Sequence, residues 1–209
     1  MNNNILMKVK ADKALCDFAI PVDDNDELIL SGVVVAYCKD LILINMFNEG
    51  FLFFNGFTII PCHIFSEYRI YSLEAEYRDA KIVKYLCRKG FPDSIELQAS
   101  LAKNLSLLEQ QNPLVTINTD FSEKHLKVVT GIILGVNRES VEIFRISNDL
   151  DKYDKIKLNF KSILFVTFCS NYEKIFWKTA IITLNIPDYI IDKSKQQLSQ
   201  SPSDGEITN

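Results

Sequence analysis

The chain has 209 residues, of which 47% are hydrophobic and 11% aromatic, and its formal net charge is −4 with an isoelectric point near 5.3. This apolar content is sufficient for a hydrophobic core. The acidic balance weighs against a protein that binds nucleic acid regardless of sequence, since such proteins present a basic surface to phosphates. No stretch reaches the roughly 18 apolar residues of a membrane span, and the N-terminus lacks the apolar run of a signal peptide. We therefore predict a cytoplasmic protein with no membrane partner.

Residues 1–13 are a polar lead-in, and residues 14–71 predict a first small β-barrel. Its opening strand, 14–20, is rich in apolar residues and ends at Pro21. An acidic run follows, made of Asp23, Asp24, Asp26 and Glu27. Such a run is typical of a solvated loop that keeps a sheet edge soluble. The same carboxylates are candidates for binding a cation or a basic partner.

A loop rich in phenylalanine lies within this first barrel. It contains Phe51, Phe53 and Phe57 around the strong turn signal Asn55-Gly56. The rings cover the open end of the barrel or pack on the other copy, or else they form an exposed aromatic patch that a partner recognises.

Two helices are predicted in a connector that spans residues 72–112. The first covers 72–90, where Ser72 can cap the helix and Gly90 can end it. The second runs from Asp93 to Gln111, with a capping-box pattern at its start and a stripe of leucines along one side. Burial of both apolar stripes against the two sheets is the simplest arrangement for this connector.

Residues 113–180 predict a second small β-barrel, and its long loop is acidic. Asp149, Asp151 and Asp154 follow a D-x-D-x-x-D pattern. The pattern lacks the glycine and the closing glutamate of an EF-hand, so we interpret it as a hydrophilic loop rather than a metal site. Residues 181–209 are the last unit. We predict an extra strand or clasp over 181–192 and a disordered tail from Lys193 onwards.

The two predicted barrels are linked by an internal repeat. The stretch from Gly32 to Ile64 matches the stretch from Gly131 to Ile163, and the offset is 99 residues at both ends. Each copy begins with a β-branched strand, continues through a short polar turn into a second strand, and carries a glycine at the same place. A glycine inside a strand is typical of a bulge or a close backbone approach. The sequence therefore predicts a mainly β protein with some α-structure (α+β), built from two pseudo-repeated barrels joined by two helices.

Five short, bent strands in this order resemble a small SH3-like or Sm-like barrel, here in tandem over Leu15–Tyr71 and Leu114–Phe176. The opening Pro113-Leu-Val-Thr-Ile and the later Tyr172 also resemble features of uncharacterised bacterial cytoplasmic proteins, which imply no activity. An Sm protein carries an Asp and an Asn in a loop that contacts bases, and an Arg-Gly pair near its fourth strand. The corresponding loop and turn here are Lys39, Asp40 and Asn45, and Pro61-Cys62-His63, so this RNA-contacting motif is not matched.

Residues able to support catalysis are scarce. The five cysteines are scattered without a Cys-x-x-Cys pair, which disfavours a zinc site and is typical of small core residues in a reducing compartment. The two histidines, His63 and His125, do not correspond between the repeats. Cys62 and His63 are adjacent, so on a strand they point to opposite faces and cannot pair. With no phosphate loop or nucleophile elbow either, we predict no enzyme activity, no cofactor and no metal.

These observations favour a non-enzymatic protein that binds another protein. An acidic chain of this size could neutralise a basic partner, as an immunity-like protein does with a toxin that acts on nucleic acid. The contacts would come from Asp23–Glu27, from Asp149–Asp154 and from the phenylalanine loop. The alternative is an Sm-like RNA-binding module that stacks bases on Phe51, Phe53 or Phe57, and the low isoelectric point disfavours it.

Overall fold

The computed structural model describes residues 3–12, 14–21, 27–48, 53–64, 67–70, 96–111, 113–119 and 127–198. Its helices in these ranges are α1 (Asn3–Asp12), α2 (Leu101–Gln111), α3 (Asn171–Thr183) and α4 (Asp188–Leu198), with a short 3-10 turn at Phe160–Ser162. The strands are β1 (Leu15–Pro21), β2 (Glu27–Tyr37), β3 (Leu41–Asn48), β4 (Phe53–Pro61), β5 (Glu67–Ile70), β6 (Leu114–Thr119), β7 (Lys127–Val136), β8 (Ser140–Ile146), β9 (Tyr153–Asn159) and β10 (Ile163–Phe168). None of the helices in these ranges has the length and apolar character needed to cross a membrane.

The ten strands form one antiparallel sheet, in the order β5-β1-β2-β3-β4-β10-β6-β7-β8-β9. We call α1 with β1–β5 the first half, and α2 with β6–β10 the second half. Both halves have the same internal strand order, and their registers correspond as well. Leu15 lies opposite Val33 in the first half, and Leu114 lies opposite Ile132, 99 residues further on, in the second. The two halves therefore share one strand plan.

The predicted pair of closed barrels is wrong, because the sheet is single and open. Strand β4 of the first half pairs with β10 of the second, with Thr58 opposite Thr167 and Phe57 opposite Phe168. This pairing occupies the edge that each half would need in order to close on itself. Strands β5 and β9 are left at the two ends of the sheet.

The two halves bury their cores on opposite faces of this sheet. In the first half, Leu6 and Val9 of α1 pack in a cluster with Ile44 and Ile60. In the second half, Leu105 and Leu108 of α2 occupy the equivalent places, and their cluster extends to Phe57 and Ile59 of β4. Ile59 belongs to the α2 cluster and its neighbour Ile60 to the α1 cluster. Because neighbouring residues of a strand point to opposite sides, the two clusters lie on different faces of the sheet. We call them the α1 face and the α2 face.

Helices α3 and α4 lie on the α1 face, across the second half. Phe176, Trp177 and Ile190 pack there with Phe144 and Ile146, which are neighbours of the residues that face α2. The second half is thus covered on both faces, by α2 on one side and by α3 with α4 on the other.

Several predicted elements differ from the structure. The polar lead-in of residues 1–13 contains helix α1, because Leu6 and Val9, one helical turn apart, both find the core. The predicted helix from Asp93 starts only at Leu101, and residues 96–100 approach it without helical structure. The predicted helix over 72–90 lies outside the described residues.

The C-terminal prediction is also wrong. The extra strand over 181–192 is replaced by the end of α3 and the start of α4, which are separated by a break at Pro187. The predicted disordered tail is helical from Lys193 to Leu198, where Ser194 is buried. Isoleucines that suit a strand serve here as core residues of a different structure, since Ile186 in the link between the two helices and Ile190 of α4 pack on the same cluster. Residues 199–209 lie outside the described part of the chain.

Candidate protein-binding face

Helix α3 begins with a complete capping box. The Ser170 hydroxyl accepts a hydrogen bond from the Glu173 amide at 3.3 Å, and the Glu173 carboxylate accepts one from the Ser170 amide at 2.7 Å. The sequence Ser-x-x-Glu encodes this arrangement, because it satisfies two amides that a helix start leaves without partners. The Asn171 amide donates to the Asn55 side chain at 2.8 Å. The helix start is therefore fixed to strand β4 of the first half.

Glu173 is only 1% exposed and stands beside a row of threonines. The row crosses four adjacent strands through Thr58, Thr167, Thr116 and Thr130, each opposite the next. Burial raises the pKa of Glu173, and hydrogen bonds from Ser170 and Thr116 counteract part of that rise. These hydrogen bonds indicate that the Glu173 carboxylate stabilises the start of α3.

The inner side of α3 is packed firmly on the sheet. Trp177 is 1% exposed, and Ala180 and Phe176 lie beside it in the cluster under the second half. Burial of three consecutive inward positions fixes the rotation of the helix. The opposite side of α3 must then point away from the sheet.

That outer side carries large apolar residues. Tyr172, Ile175 and Ile182 are 49%, 66% and 84% exposed. Together with Thr179 they follow a spacing of three, four and three residues, which places them in one line along a helix. We call these four residues the outer face of α3. A line of exposed apolar side chains on a well-anchored helix is the kind of surface that another protein covers.

Two tyrosines extend the apolar surface beyond α3. Tyr189 of α4 is exposed, and so is Tyr153 of β9. The Tyr153 hydroxyl donates to the Asn185 carbonyl at 3.3 Å, which places this ring at the link between the two helices. Its ring centroid also lies 4.9 Å from that of Phe144. Strand β9 thus contributes one aromatic residue to the side of the molecule that carries α3 and α4.

The acidic loop of the second half lies next to Tyr153, but its carboxylates do not converge. Asp149 is exposed on the turn, and Asp151 accepts a hydrogen bond from the Ser147 hydroxyl, which lowers the pKa of this aspartate. Asp154 accepts from the Arg145 guanidinium at 2.8 Å, and its pKa is lowered chiefly by that bond. Within the described ranges, no group of three or more His, Cys, Asp or Glu residues is placed to hold a metal ion.

The other sequence candidates are widely separated. Phe57 is half-buried, and its ring centroid is 5.7 Å from that of Phe168 in the α2-face core, so it is not free to stack on a base. Phe53 lies in strand β4. The remaining candidates, Asp23, Asp24, Asp26 and Phe51, fall outside the described residues.

Three of the described thiols, those of Cys16, Cys62 and Cys169, are poorly suited to nucleophilic chemistry. Burial raises the pKa of Cys16 to about 12 and the pKa values of Cys62 and Cys169 to about 11. A thiol with so high a pKa is protonated at neutral pH and reacts slowly. His63 is exposed in the turn after β4, and His125 lies outside the described residues.

The outer face of α3 was missed in the sequence because residues up to 180 were assigned to the second barrel and residues 181–192 to an extra strand or clasp. A usable signal does exist. Ser170-x-x-Glu173 marks a helix start, and the line from Tyr172 to Ile182 then falls opposite Trp177 on a helical projection. Sequence alone does not reveal which of these two apolar sides is the buried one.

Comparison of the chain with protein-family models, with curated proteins and with solved structures finds no match. The residues themselves therefore carry the functional argument.

Proposed function

We propose that this chain is a non-enzymatic protein-binding protein and that the outer face of α3 receives its protein partner. One observation carries the proposal: Ile175 and Ile182 are largely exposed, although the helix that bears them is fixed by a capping box and by buried Trp177. Exposed apolar area is unfavourable in water, and its burial against a partner supplies free energy of binding. Aromatic residues such as Tyr172 are enriched among the residues that dominate such interfaces.

The rim of this surface bears on the nature of the partner. Asp149 and Asp151 lie on the turn that precedes Tyr153, and they support the hypothesis of a basic, immunity-like partner. Asp154 does not, because its carboxylate is already paired with Arg145. We therefore propose that the outer face of α3 supplies the affinity and that Asp149 and Asp151 select a basic partner.

An RNA-binding role is the rival, and one observation favours it. Arg138 and Lys157 line an open groove of about 480 Å³ at the β7–β8 turn, together with the amides Asn137 and Asn159. Phe57, one of the three proposed stacking residues, packs against Phe168, which weakens the case for the aromatic contact that single-stranded RNA needs. The balance of observations thus supports a protein partner.

The thiols bear on the location of the protein. The cysteines described by the structure, Cys16, Cys38, Cys62 and Cys169, are free. Free thiols are typical of a reducing compartment, and they support the cytoplasmic location that forms part of this proposal.

The test is capture of partners from a lysate of the source cells, with and without nuclease, by three purified full-length proteins. The first is the wild type, and the second is Ile175→Asp/Ile182→Asp. The third is the matched control Met7→Asp, which places an acid at a similarly exposed apolar residue of α1. Equal thermal unfolding of the three proteins shows that the substitutions leave the fold intact.

We expect a nuclease-resistant protein that the wild type and Met7→Asp both retain and that the double variant loses. Retention of the same protein by all three would remove the outer face of α3 from the proposal. Recovery only of RNA, lost on nuclease treatment, would replace the proposal with the RNA-binding alternative.

A further inference from the structure

A groove of about 470 Å³ lies on the α2 face, where the two halves of the sheet meet. Leu43 and Ile59 of the first half form part of its floor, and Phe57 and Phe168 meet across the β4–β10 junction. Leu107 of α2 forms a side wall. This volume lies within the range of small-molecule sites, which are mainly apolar and concave.

The wall that leads into α2 is held in place by one buried amide. Asn104 is 4% exposed, and its side-chain oxygen accepts a hydrogen bond from the Gln98 amide at 2.9 Å. Its side-chain nitrogen donates to the carbonyls of Gln98 at 3.0 Å and of Ser100 at 2.8 Å. All three bonds tie residues 98–100 to the first turn of α2. The groove is therefore preformed on this side, which reduces the ordering cost of binding.

Unusual backbone borders the groove. Cys169, which lines the groove, has φ of 60°, and Gly56, which precedes the lining residue Phe57, has φ of 83°. A Cβ added to Gly56 would lie 2.7 Å from the Phe168 carbonyl oxygen, so the two strands approach too closely there for any side chain. Backbone in such conformations clusters at binding sites, where the surrounding structure compensates its cost.

The polar residues of the groove restrict the ligand. Glu96, Gln98 and Gln111 stand among its lining residues, and none of the described lining residues is a lysine or an arginine. A carboxylate or phosphate would meet the negative charge of Glu96, and no cation among the described lining residues would offset it. A hydrogen-bond donor would find the Glu96 carboxylate and two amide oxygens as acceptors.

We propose that this groove binds a small, mainly apolar molecule with one uncharged or cationic hydrogen-bonding end. The apolar part lies on Ile59 and Phe168, and the polar end reaches Gln98 and Gln111. The site is independent of the proposed protein partner, because it lies on the α2 face whereas α3 lies on the α1 face. The outcomes of the two tests can therefore be told apart.

The test uses the neutral probe N-phenyl-1-naphthylamine, whose fluorescence rises in apolar surroundings. The probe is excited directly, so that the tryptophans of the variants do not contribute to the signal. Leu107→Trp should fill the groove from its α2 wall. Lys103→Trp is the matched control, because it adds the same side chain to the same helix at an exposed position that is not among the groove-lining residues. A second blocking variant, Gln111→Trp, obstructs the mouth from an exposed position and does not disturb the core.

We expect saturable binding of one probe molecule to the wild type and to Lys103→Trp, and affinity at least about tenfold lower for Leu107→Trp and Gln111→Trp. Wild-type affinity in Gln111→Trp, or the absence of saturable binding to the wild type, would overturn the proposal. If Leu107→Trp unfolds, Gln111→Trp alone decides the outcome.

Discussion

Strands β4 and β9 hold the same place in their halves, yet β4 pairs with a further strand, whereas β9 is the edge strand among the described residues. Each strand pairs with the strand before it, and at the start of both strands the register is the same. Phe54 lies opposite Phe47 in the first half, and Tyr153, 99 residues later, lies opposite Ile146 in the second. Beyond Phe54, β4 contains a bulge over residues 55–56 that β9 lacks. A strand plan that occurs twice thus has two different outcomes.

The bulge explains why β4 can be joined. Gly56, in a conformation that favours glycine, lets the backbone of Ser170 approach to a distance that excludes a Cβ. Asn55 then accepts the hydrogen bond from the Asn171 amide. The residues 99 positions later are Asp154 and Lys155. The Asp154 carboxylate accepts a hydrogen bond from Arg145, and Lys155 is exposed.

The edge of β9 has features that discourage pairing. The Ser147 amide donates to the Lys152 carbonyl at the end of the β8–β9 ladder. Because antiparallel bonds alternate along a strand, the backbone groups of Lys155 and Lys157 point away from β8, toward solvent. Lysines on an edge strand oppose the addition of another strand. Residue identity at the bulge and at the edge, rather than strand order, therefore decides where the sheet continues.

The largest expected effect comes from closing the space at the bulge. Gly56→Ala should cost about 3 kcal/mol of unfolding free energy, because it adds a clash with backbone to an unfavourable φ. Gly135→Ala is the matched control, since a Cβ at Gly135 meets no atom within 4 Å, and it should change stability by less than about 1 kcal/mol. Urea unfolding measures both. Equal losses would show that the close approach at Gly56 is unimportant.

The next effect comes from the helix start that Gly56 faces. Glu173→Ala should cost about 2 kcal/mol, because it removes the capping bond and leaves the buried Ser170 amide without an acceptor. Glu173→Gln keeps an acceptor and should cost less.

The pH dependence of these variants gives a second, independent test. The pKa of Glu173 is raised in the folded state, so the folded state holds this proton more tightly than the unfolded state. Its contribution is therefore most favourable below the ordinary glutamate pKa of about 4.3 and is lost as the pH rises through the folded pKa. The stability of wild type relative to Glu173→Gln should fall over that window in urea unfolding. A rise would contradict the assignment.

A smaller effect is expected at the junction hydrogen bond. The hydroxyls of Thr58 and Thr167 are 3.0 Å apart across β4 and β10. Thr58→Val and Thr167→Val should each cost about 1 kcal/mol, and the double variant less than the sum, because it leaves neither hydroxyl unpaired. Additive losses in a double-mutant cycle would mean that this bond does not contribute to the junction.

Substitutions on the edge strand β9 should have the smallest effect on stability. They should instead increase self-association of the protein. Lys155→Val/Lys157→Val should leave the unfolding free energy within about 1 kcal/mol and make sedimentation depend on protein concentration. Lys8→Val/Lys103→Val removes the same charge from exposed helix positions and should sediment like the wild type. Identical sedimentation of all three proteins would show that the lysines do not protect the edge.

Local patterns predicted much of the strand content, but not the joining of the strands. Val33 to Val35 and Ile132 to Leu134 have the β-branched character of strands and lie in β2 and β7. The pairing of β4 with β10 joins residues more than a hundred positions apart, and no local pattern specifies it. Asn55-Gly56 was interpreted as a hairpin turn because bulges and turns favour the same residues.

The candidate face was harder to predict than the fold. Among the α1 residues whose burial is described, those at positions 6–12, Leu6 and Val9 are the buried ones, and two buried positions give a weak helical period. In α3, both the buried side, with Trp177, and the exposed side, with Ile175 and Ile182, are apolar. Because both of these sides are apolar, the hydrophobic pattern does not distinguish them, and only tertiary packing reveals which side stays in contact with water.

If the β4–β10 junction makes the two halves one cooperative sheet, both halves unfold together, and urea unfolding of the wild type followed by two signals measures whether they do. Fluorescence of Trp177, the single tryptophan, reports the second half, and far-ultraviolet circular dichroism reports both halves. Our account predicts that the two transitions coincide, as they do for a single cooperative unit. A tryptophan transition separated from the dichroism transition would show two independently folding halves and would contradict it.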